Sequence, residues 1–137
     1  GKYYAESCLP LAEGKNDVRA TAFVDRMDLV YRAADLMVSR AGASTISEIQ
    51  LIGIPSILVP SPNVAEDHQR KNAQALADKG AAVMILDSEA PVRLGDEVVK
   101  LISDKTRLES LGANAKKMGL PKSDEIIVDE IYKIVKK

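Results

Sequence analysis

Short apolar runs that alternate with helix-length segments are the feature that most constrains how this chain folds. The runs are continuous rather than alternating between apolar and polar residues, which is typical of strands buried on both faces of a sheet. Strands separated by helical crossovers pair in parallel. The predicted strands are residues 18–24, 35–39, 56–60 and 81–86.

The segments between and after these runs have helical spacing. They predict helices over residues 27–34, 44–52, 65–79, 91–103, 105–117 and 123–135. Gly53 and Pro55 end the second helix, because glycine accepts the left-handed C-terminal conformation and proline cannot continue a helix. In the last helix, four isoleucines are expected to dock inward: Ile126, Ile127, Ile131 and Ile134. The pattern as a whole predicts an α/β fold with a doubly wound parallel sheet.

Composition argues against several classes of function. The chain has 137 residues, about one domain, with 19 basic and 20 acidic residues. This balance gives no support for broad nucleic-acid binding. The longest apolar stretches are strand-sized, too short to span a membrane. Cys8 is the only cysteine and His68 the only histidine, so neither an internal disulfide nor a structural zinc site is expected.

Small residues follow the second predicted strand, where a parallel sheet binds its ligands. The stretch SRAGAST places Gly42 before a helix start, so backbone could approach a ligand and the helix N-terminus could seat a phosphate. Arg40 could add positive charge. Two structural explanations remain open: Thr45 and Glu48 have the spacing of a capping box, and small residues also suit tight strand–helix packing.

Two amides follow the third predicted strand. Gln69, Asn72, Ala73 and Leu76 fall on one face of the next helix, and its apolar members indicate that this face points inward. Amides both donate and accept, which suits the hydroxyls of a sugar. Alternatively, they cap loops or bond to each other. His68 suits a polar contact better than a general base, since no acid or nucleophile is paired with it in the sequence.

Three stretches of this chain resemble the C-terminal half of the bacterial MurG glycosyltransferases: FVDRM, ADLMVSRAGASTISEIQLIGIPSILVPSP and EDHQRKNAQALADKGAAVMI. The match covers about residues 18–86, and its most diagnostic parts are SRAGASTISE and HQRKNA. Members of this family have two Rossmann-like domains in the GT-B arrangement. They transfer N-acetylglucosamine from UDP-N-acetylglucosamine to lipid I, making lipid II for peptidoglycan. The resemblance implies that residues 1–137 form a single UDP-sugar-binding domain, the C-terminal half of a GT-B enzyme.

The resemblance also implies a set of substrate-binding residues: Val24, Ala43, Ser44, Thr45, Glu48, His68, Gln69 and Asn72. Val24 would meet the uracil, and residues 43–45 would face the diphosphate and sugar. Glu48 would hold the ribose hydroxyls, and the two amides the sugar hydroxyls. His68 stands where some relatives carry glutamine. No metal or cofactor is implied.

Two parts of the family pattern have no counterpart in these residues: a glycine-rich turn of GGSxGA type and the acceptor domain with its catalytic base and membrane-facing patch. The chain opens on GKYYAESC without methionine, which predicts a piece of a longer protein. Such a piece would bind donor weakly and not catalyse transfer alone. Lipid I and the membrane would be met through the missing N-terminal domain, with the whole enzyme peripheral to the cytoplasmic face of the inner membrane.

Other functions remain open at this point. The chain could be the donor-binding subunit of a two-subunit, dolichol-type N-acetylglucosaminyltransferase. It could also be a non-catalytic nucleotide-binding α/β module, although no aspartate pocket for phosphorylation and no flavin loop are apparent. A non-hydrolysing UDP-N-acetylglucosamine epimerase shares the GT-B layout, but the HQRKNA segment suits it less well.

Overall fold

A computed structural model describes residues 6–63 and 67–135 of the chain. These residues fall into two compact units, divided between Ala33 and Ala34. In the first unit, a 3₁₀ helix spans Leu9–Ala12 and helix α1 spans Met27–Ala33. Arg26 and Asp28 form an ion pair of 2.7 Å at the start of α1. Hydrogen bonds from the Arg26 guanidinium hold the pKa of the Asp28 carboxyl below its ordinary value.

The strand predicted over residues 18–24 does not form, and that prediction is wrong. Val18 and Phe23 have exposed fractions of 51% and 69%. The hydrogen bonds of this segment are local: the Val18 amide donates to the Lys15 carbonyl, and Thr21 Oγ1 donates to the Phe23 carbonyl. A strand is stable only when a neighbouring strand pairs with its backbone, and local turns take that role here.

The second unit contains a three-stranded sheet, and it confirms the other three predicted strands. They are β1 (Met37–Ser39), β2 (Ser56–Leu58) and β3 (Val83–Met84), in the order β1-β2-β3. Both pairings are parallel, with Val38 opposite Ile57 and Leu58 opposite Met84. The predicted parallel sheet is therefore correct, with three strands in the described residues instead of four.

The described residues of the second unit also form five helices: α2 (Ala43–Ile52), α3 (His68–Ala77), α4 (Ala90–Ile102), α5 (Lys105–Lys117) and α6 (Ser123–Val135). Gly53 ends α2 in the left-handed conformation, with φ of +78°, as predicted. The predicted start of α3 at residue 65 lies outside the described residues. The isoleucines of α6 expected to dock inward are more than half exposed, so that prediction is wrong; the described chain does not cover this face with apolar side chains.

The core lies around β2, which explains why an apolar run begins at Ile57. Ile57, Val59 and Ile85 pack with Leu101 of α4 and Leu111 of α5. All three residues of β2 are fully buried, because both faces of the central strand are covered. The site described below therefore adjoins a fully buried central strand.

Close backbone contact joins α2 to α5 at the opposite end from the site. A Cβ added to Gly112 of α5 would lie 2.5 Å from the carbonyl oxygen of Gly53. A Cβ added to Gly119, just after α5, would lie 2.7 Å from the carbonyl oxygen of Gln50. Real Cβ atoms do not approach that closely, so glycine is needed for α2 to seat against α5.

Ser56 provides a test of the core. Its side chain is fully buried, and its Oγ has no hydrogen-bond partner among the described residues. We expect Ser56→Ala to raise the free energy of unfolding by about 1 kcal/mol, since it removes a buried, unpaired hydroxyl. Urea unfolding followed by circular dichroism measures this. Ser47→Ala, which removes an exposed hydroxyl bonded to its own helix, serves as the control. A loss of stability in Ser56→Ala would show that the hydroxyl has a partner.

Candidate functional site

The candidate site lies at the carboxyl edge of the sheet, because the loops that follow parallel strands all lie at that edge. These loops are residues 40–42 after β1, 59–63 after β2 and 85–89 after β3. The first leads into α2, the second towards α3 and the third into α4. Side chains from two of the loops and from α3 tie these loops together.

Helix α2 starts without a side-chain cap. Its N-cap is Gly42, with φ of −67° and ψ of 154°, and this residue makes no side-chain hydrogen bond to the helix. These angles suit any residue, and a Cβ at Gly42 would meet only Thr45 Oγ1, at 4.0 Å. Neither conformation nor packing requires glycine here. What glycine supplies is open space before the helix amides, which suits an approaching anion.

Thr45 lies inside α2, as its third residue, and does not cap the helix. The capping box with Thr45 at the N-cap is therefore wrong, because the helix begins earlier than that alternative assumed. Ala43 and Ser44 are exposed in the first turn, and Thr45 is half-buried. Glu48 is exposed one turn later, four residues after Ser44, so the two side chains share a face of α2. The structure thus brings together four of the predicted site residues.

The amides of α3 point inward, as predicted, beside the buried Ala73 and Leu76. Gln69 Oε1 accepts hydrogen bonds from the Ala41 amide (3.3 Å) and the Ser61 amide (2.9 Å). Asn72 Nδ2 donates to the Ala41 carbonyl at 3.1 Å. The alternative that these amides cap loops is therefore confirmed. Two of their atoms, Nε2 of Gln69 and Oδ1 of Asn72, take no part in these bonds.

Arg40 connects the loops in a second way. Its guanidinium pairs with the Asp87 carboxylate after β3, and its Nη1 donates to the Val59 carbonyl at 3.2 Å. Arg40 thus bonds to both of the other loops, and part of its charge is balanced by Asp87. The sequence analysis missed Asp87; its position directly after a predicted strand was the available signal.

A cavity of about 290 Å³ adjoins these loops. Its lining residues come from the loops after β2 and β3 and from the start of α3: Pro60, Ser61, Pro62, Asp67, Arg70, Leu86, Asp87 and Ser88. Asp67 has φ of 55°, a left-handed conformation that is strained for a residue other than glycine. His68 follows it, exposed, as the first residue of α3. None of the residues predicted from the sequence as substrate-binding lines this cavity.

Val24 belongs to the first unit, where it is half-buried and outside any strand. Across residues 6–63 and 67–135, no three His, Cys, Asp or Glu side chains are grouped to hold a metal ion. In the same part of the chain, no helix combines the length and apolar character needed to cross a membrane.

Comparison with known proteins identifies the family. Residues 1–127 match the model of the glycosyltransferase family 28 C-terminal domain. The UDP-N-acetylglucosamine--N-acetylmuramyl-(pentapeptide) pyrophosphoryl-undecaprenol N-acetylglucosamine transferase of Flavobacterium psychrophilum is 47% identical over 135 residues, 98% of this chain and 36% of the relative. The protein of the same name from Parabacteroides distasonis is 49% identical over 140 residues, 100% of this chain and 38% of the relative.

A solved structure shows the same fold. The crystal structure of Acinetobacter baumannii MurG matches with a TM-score of 0.85 and 28% identity, over 97% of this chain and 39% of that one. The predicted Rossmann-like sheet, typical of the C-terminal half of a GT-B enzyme, is confirmed. The chain spans somewhat more than a third of the length of the curated relatives that it matches. From its sequence and its fold, the chain belongs to the glycosyltransferase family 28 C-terminal domain family.

Proposed function

We propose that residues 1–137 form a single UDP-sugar-binding domain of an N-acetylglucosaminyltransferase. The complete protein transfers N-acetylglucosamine from UDP-N-acetylglucosamine to lipid I and so makes lipid II for peptidoglycan. The names of the curated relatives support this donor and an undecaprenol-linked acceptor. The comparisons do not favour a dolichol-type subunit or a non-catalytic module.

The observation that carries the proposal is the start of α2. A helix N-terminus with no side-chain cap at Gly42 and open space around that residue suits a diphosphate, and Glu48 lies one turn further along on the face shared with Ser44. In this arrangement, residues 43–45 face the diphosphate and Glu48 accepts hydrogen bonds from the ribose hydroxyls.

The remaining substrate-binding roles follow from the family resemblance and the geometry of α3. Val24 contacts the uracil. The hydrogen bonds to the loops use Gln69 Oε1 and Asn72 Nδ2. The other polar atoms of these amides, Gln69 Nε2 and Asn72 Oδ1, bind the sugar hydroxyls together with His68. The catalytic base and the lipid I site belong to another domain of the complete protein, which acts at the cytoplasmic face of the inner membrane. No nucleic acid takes part.

The proposal is tested by donor selectivity in the protein at its natural length. UDP release with a lipid I analogue is compared for UDP-N-acetylglucosamine and UDP-N-acetylgalactosamine, which differ only in configuration at C4. We expect the gluco donor to be preferred by about 2 kcal/mol in kcat/KM, roughly 30-fold, since amides that bond one hydroxyl are left unpaired by its epimer. Equal use of both donors would contradict the sugar assignment, and absence of UDP binding in calorimetry would contradict the proposed function.

A further inference from the structure

Three hydrogen bonds join the start of α3 to the loops after β1 and β2. Gln69 Oε1 receives two amide protons, one from each loop, and Asn72 Nδ2 gives a proton to a carbonyl. These partners fix which end of each side-chain amide is oxygen and which is nitrogen. The two side chains therefore have opposite hydrogen-bonding roles towards the loops: Gln69 accepts and Asn72 donates.

The amide and the carbonyl of Ala41 both form hydrogen bonds with side chains of α3. Ala41 is fully buried, and a buried backbone group without a partner is costly, so these bonds determine where its peptide groups can lie. The next residue, Gly42, is the N-cap of α2. The direction in which the chain leaves β1 and enters α2 is thus set from α3.

We propose that Gln69 and Asn72 are positioning residues for the diphosphate of the nucleotide. By holding Ala41, they place the first-turn amides of α2 where the diphosphate binds, and this role is separate from any contact with the sugar. The inference rests on the proposed function, since it requires that α2 receives a nucleoside diphosphate. It predicts that changes on α3 alter the affinity for UDP, a ligand that lacks the N-acetylglucosamine.

Two substitutions that add the same charge separate this role from general electrostatics. In Gln69→Glu, a carboxylate oxygen still accepts both amide protons, so the loops stay tied. In Asn72→Asp, a carboxylate oxygen replaces the donor and faces the Ala41 carbonyl, so the tie is broken and replaced by repulsion. Each variant adds one negative charge on the same face of α3, and the difference between them isolates the hydrogen bond.

Calorimetry of UDP and of uridine with the protein at its natural length measures the effect. We expect Asn72→Asp to bind UDP at least about tenfold more weakly than Gln69→Glu, the size of one broken hydrogen bond to a buried group. Uridine lacks the diphosphate, and its affinity should differ less than about twofold between the two variants. Gln69→Ala should lose UDP affinity, and Gln69→Glu should restore most of it.

Asn114→Asp is the matched control. Asn114 Nδ2 donates to the Gly80 carbonyl at 3.1 Å, the same kind of bond at the same distance, but Gly80 precedes β3 and lies at the amino edge of the sheet. We expect this variant to lose stability without a change in UDP affinity beyond about twofold, because its bond holds no loop of the site.

Several results would overturn the inference. Equal UDP affinity in Asn72→Asp and Gln69→Glu would do so, as would parallel losses for UDP and uridine. Should Asn72→Asp fail to fold by circular dichroism, the Gln69 pair decides: failure of Gln69→Glu to restore the UDP affinity lost in Gln69→Ala rejects the positioning role. Absence of UDP binding in the parent protein rejects the proposed function along with it, whereas binding with indistinguishable variants rejects only this inference.

Discussion

Glu48→Ala is expected to weaken the use of UDP-N-acetylglucosamine by about 2 to 4 kcal/mol in kcat/KM, the loss of two charge-assisted hydrogen bonds. Glu48 is exposed on α2, one turn beyond the uncapped start of the helix, so its carboxylate can reach a ribose whose diphosphate lies at that start. Its removal should cost little stability, since it takes no apolar surface from the core. Donor kinetics and thermal unfolding of the same preparations measure the two effects separately.

Ser47→Ala is the neighbouring control for Glu48. Ser47 Oγ donates to the Ala43 carbonyl within α2, and its loss should leave donor use within about twofold. A second comparison uses 2′-deoxy-UDP: the parent protein should bind it more weakly than UDP, and Glu48→Ala should bind both alike. If Glu48→Ala lowered only the melting temperature and left kinetics unchanged, Glu48 would serve the stability of α2 and the ribose assignment would be withdrawn.

Gly112→Ala is expected to lower the free energy of unfolding by about 3 kcal/mol, the upper part of the range for overpacking. Its new Cβ would lie 2.5 Å from the Gly53 carbonyl oxygen and 3.4 Å from Pro55 Cδ. Both neighbours are constrained, since Gly53 holds φ of +78° at the end of α2 and Pro55 leads into β2. The helices must therefore separate, and urea unfolding measures the cost.

Gly95→Ala is the matched control, with the opposite expected sign. Gly95 also lies inside a helix, α4, but a Cβ there would meet nothing within 4 Å. Alanine costs less backbone entropy than glycine in a helix, so Gly95→Ala should stabilise the protein by about 0.5 to 1 kcal/mol. Similar changes in both variants would show that helix propensity, and not the α2–α5 contact, governs Gly112.

Local sequence pattern predicted most of this fold, because buried strands and helix ends each require particular residue types. The run that starts at Ile57 is apolar because β2 is covered on both faces. Gly53 marks the end of α2 because glycine adopts a positive φ without strain. Residues 18–24 have a similar composition but form no strand. Composition records a preference for strand, whereas a strand requires a neighbour to pair with.

The sequence predicted which amides of α3 point inward, but not the groups with which they form hydrogen bonds. Helical spacing placed Gln69 and Asn72 on the inward face of α3, and the structure confirms it. Their partners could not be read from spacing, because Ala41 lies 28 and 31 residues away from them. The pair of Arg40 with Asp87 spans 47 residues. Contacts of this range depend on how the sheet brings its loops together.

The hydrogen bonds from α3 to the loops have an evolutionary consequence, because their partners in the loops are backbone groups and not side chains. Gln69 and Asn72 bond the peptide groups of residues 41 and 61, which every residue except proline can offer. Position 61 is therefore free to drift in sequence while the contact persists, and position 41 need only stay small, since it is fully buried. The hydrogen bonds themselves therefore restrict the side chains of positions 69 and 72 far more than those of positions 41 and 61, and correlated substitutions between these positions should be absent among homologues even though the contacts are retained.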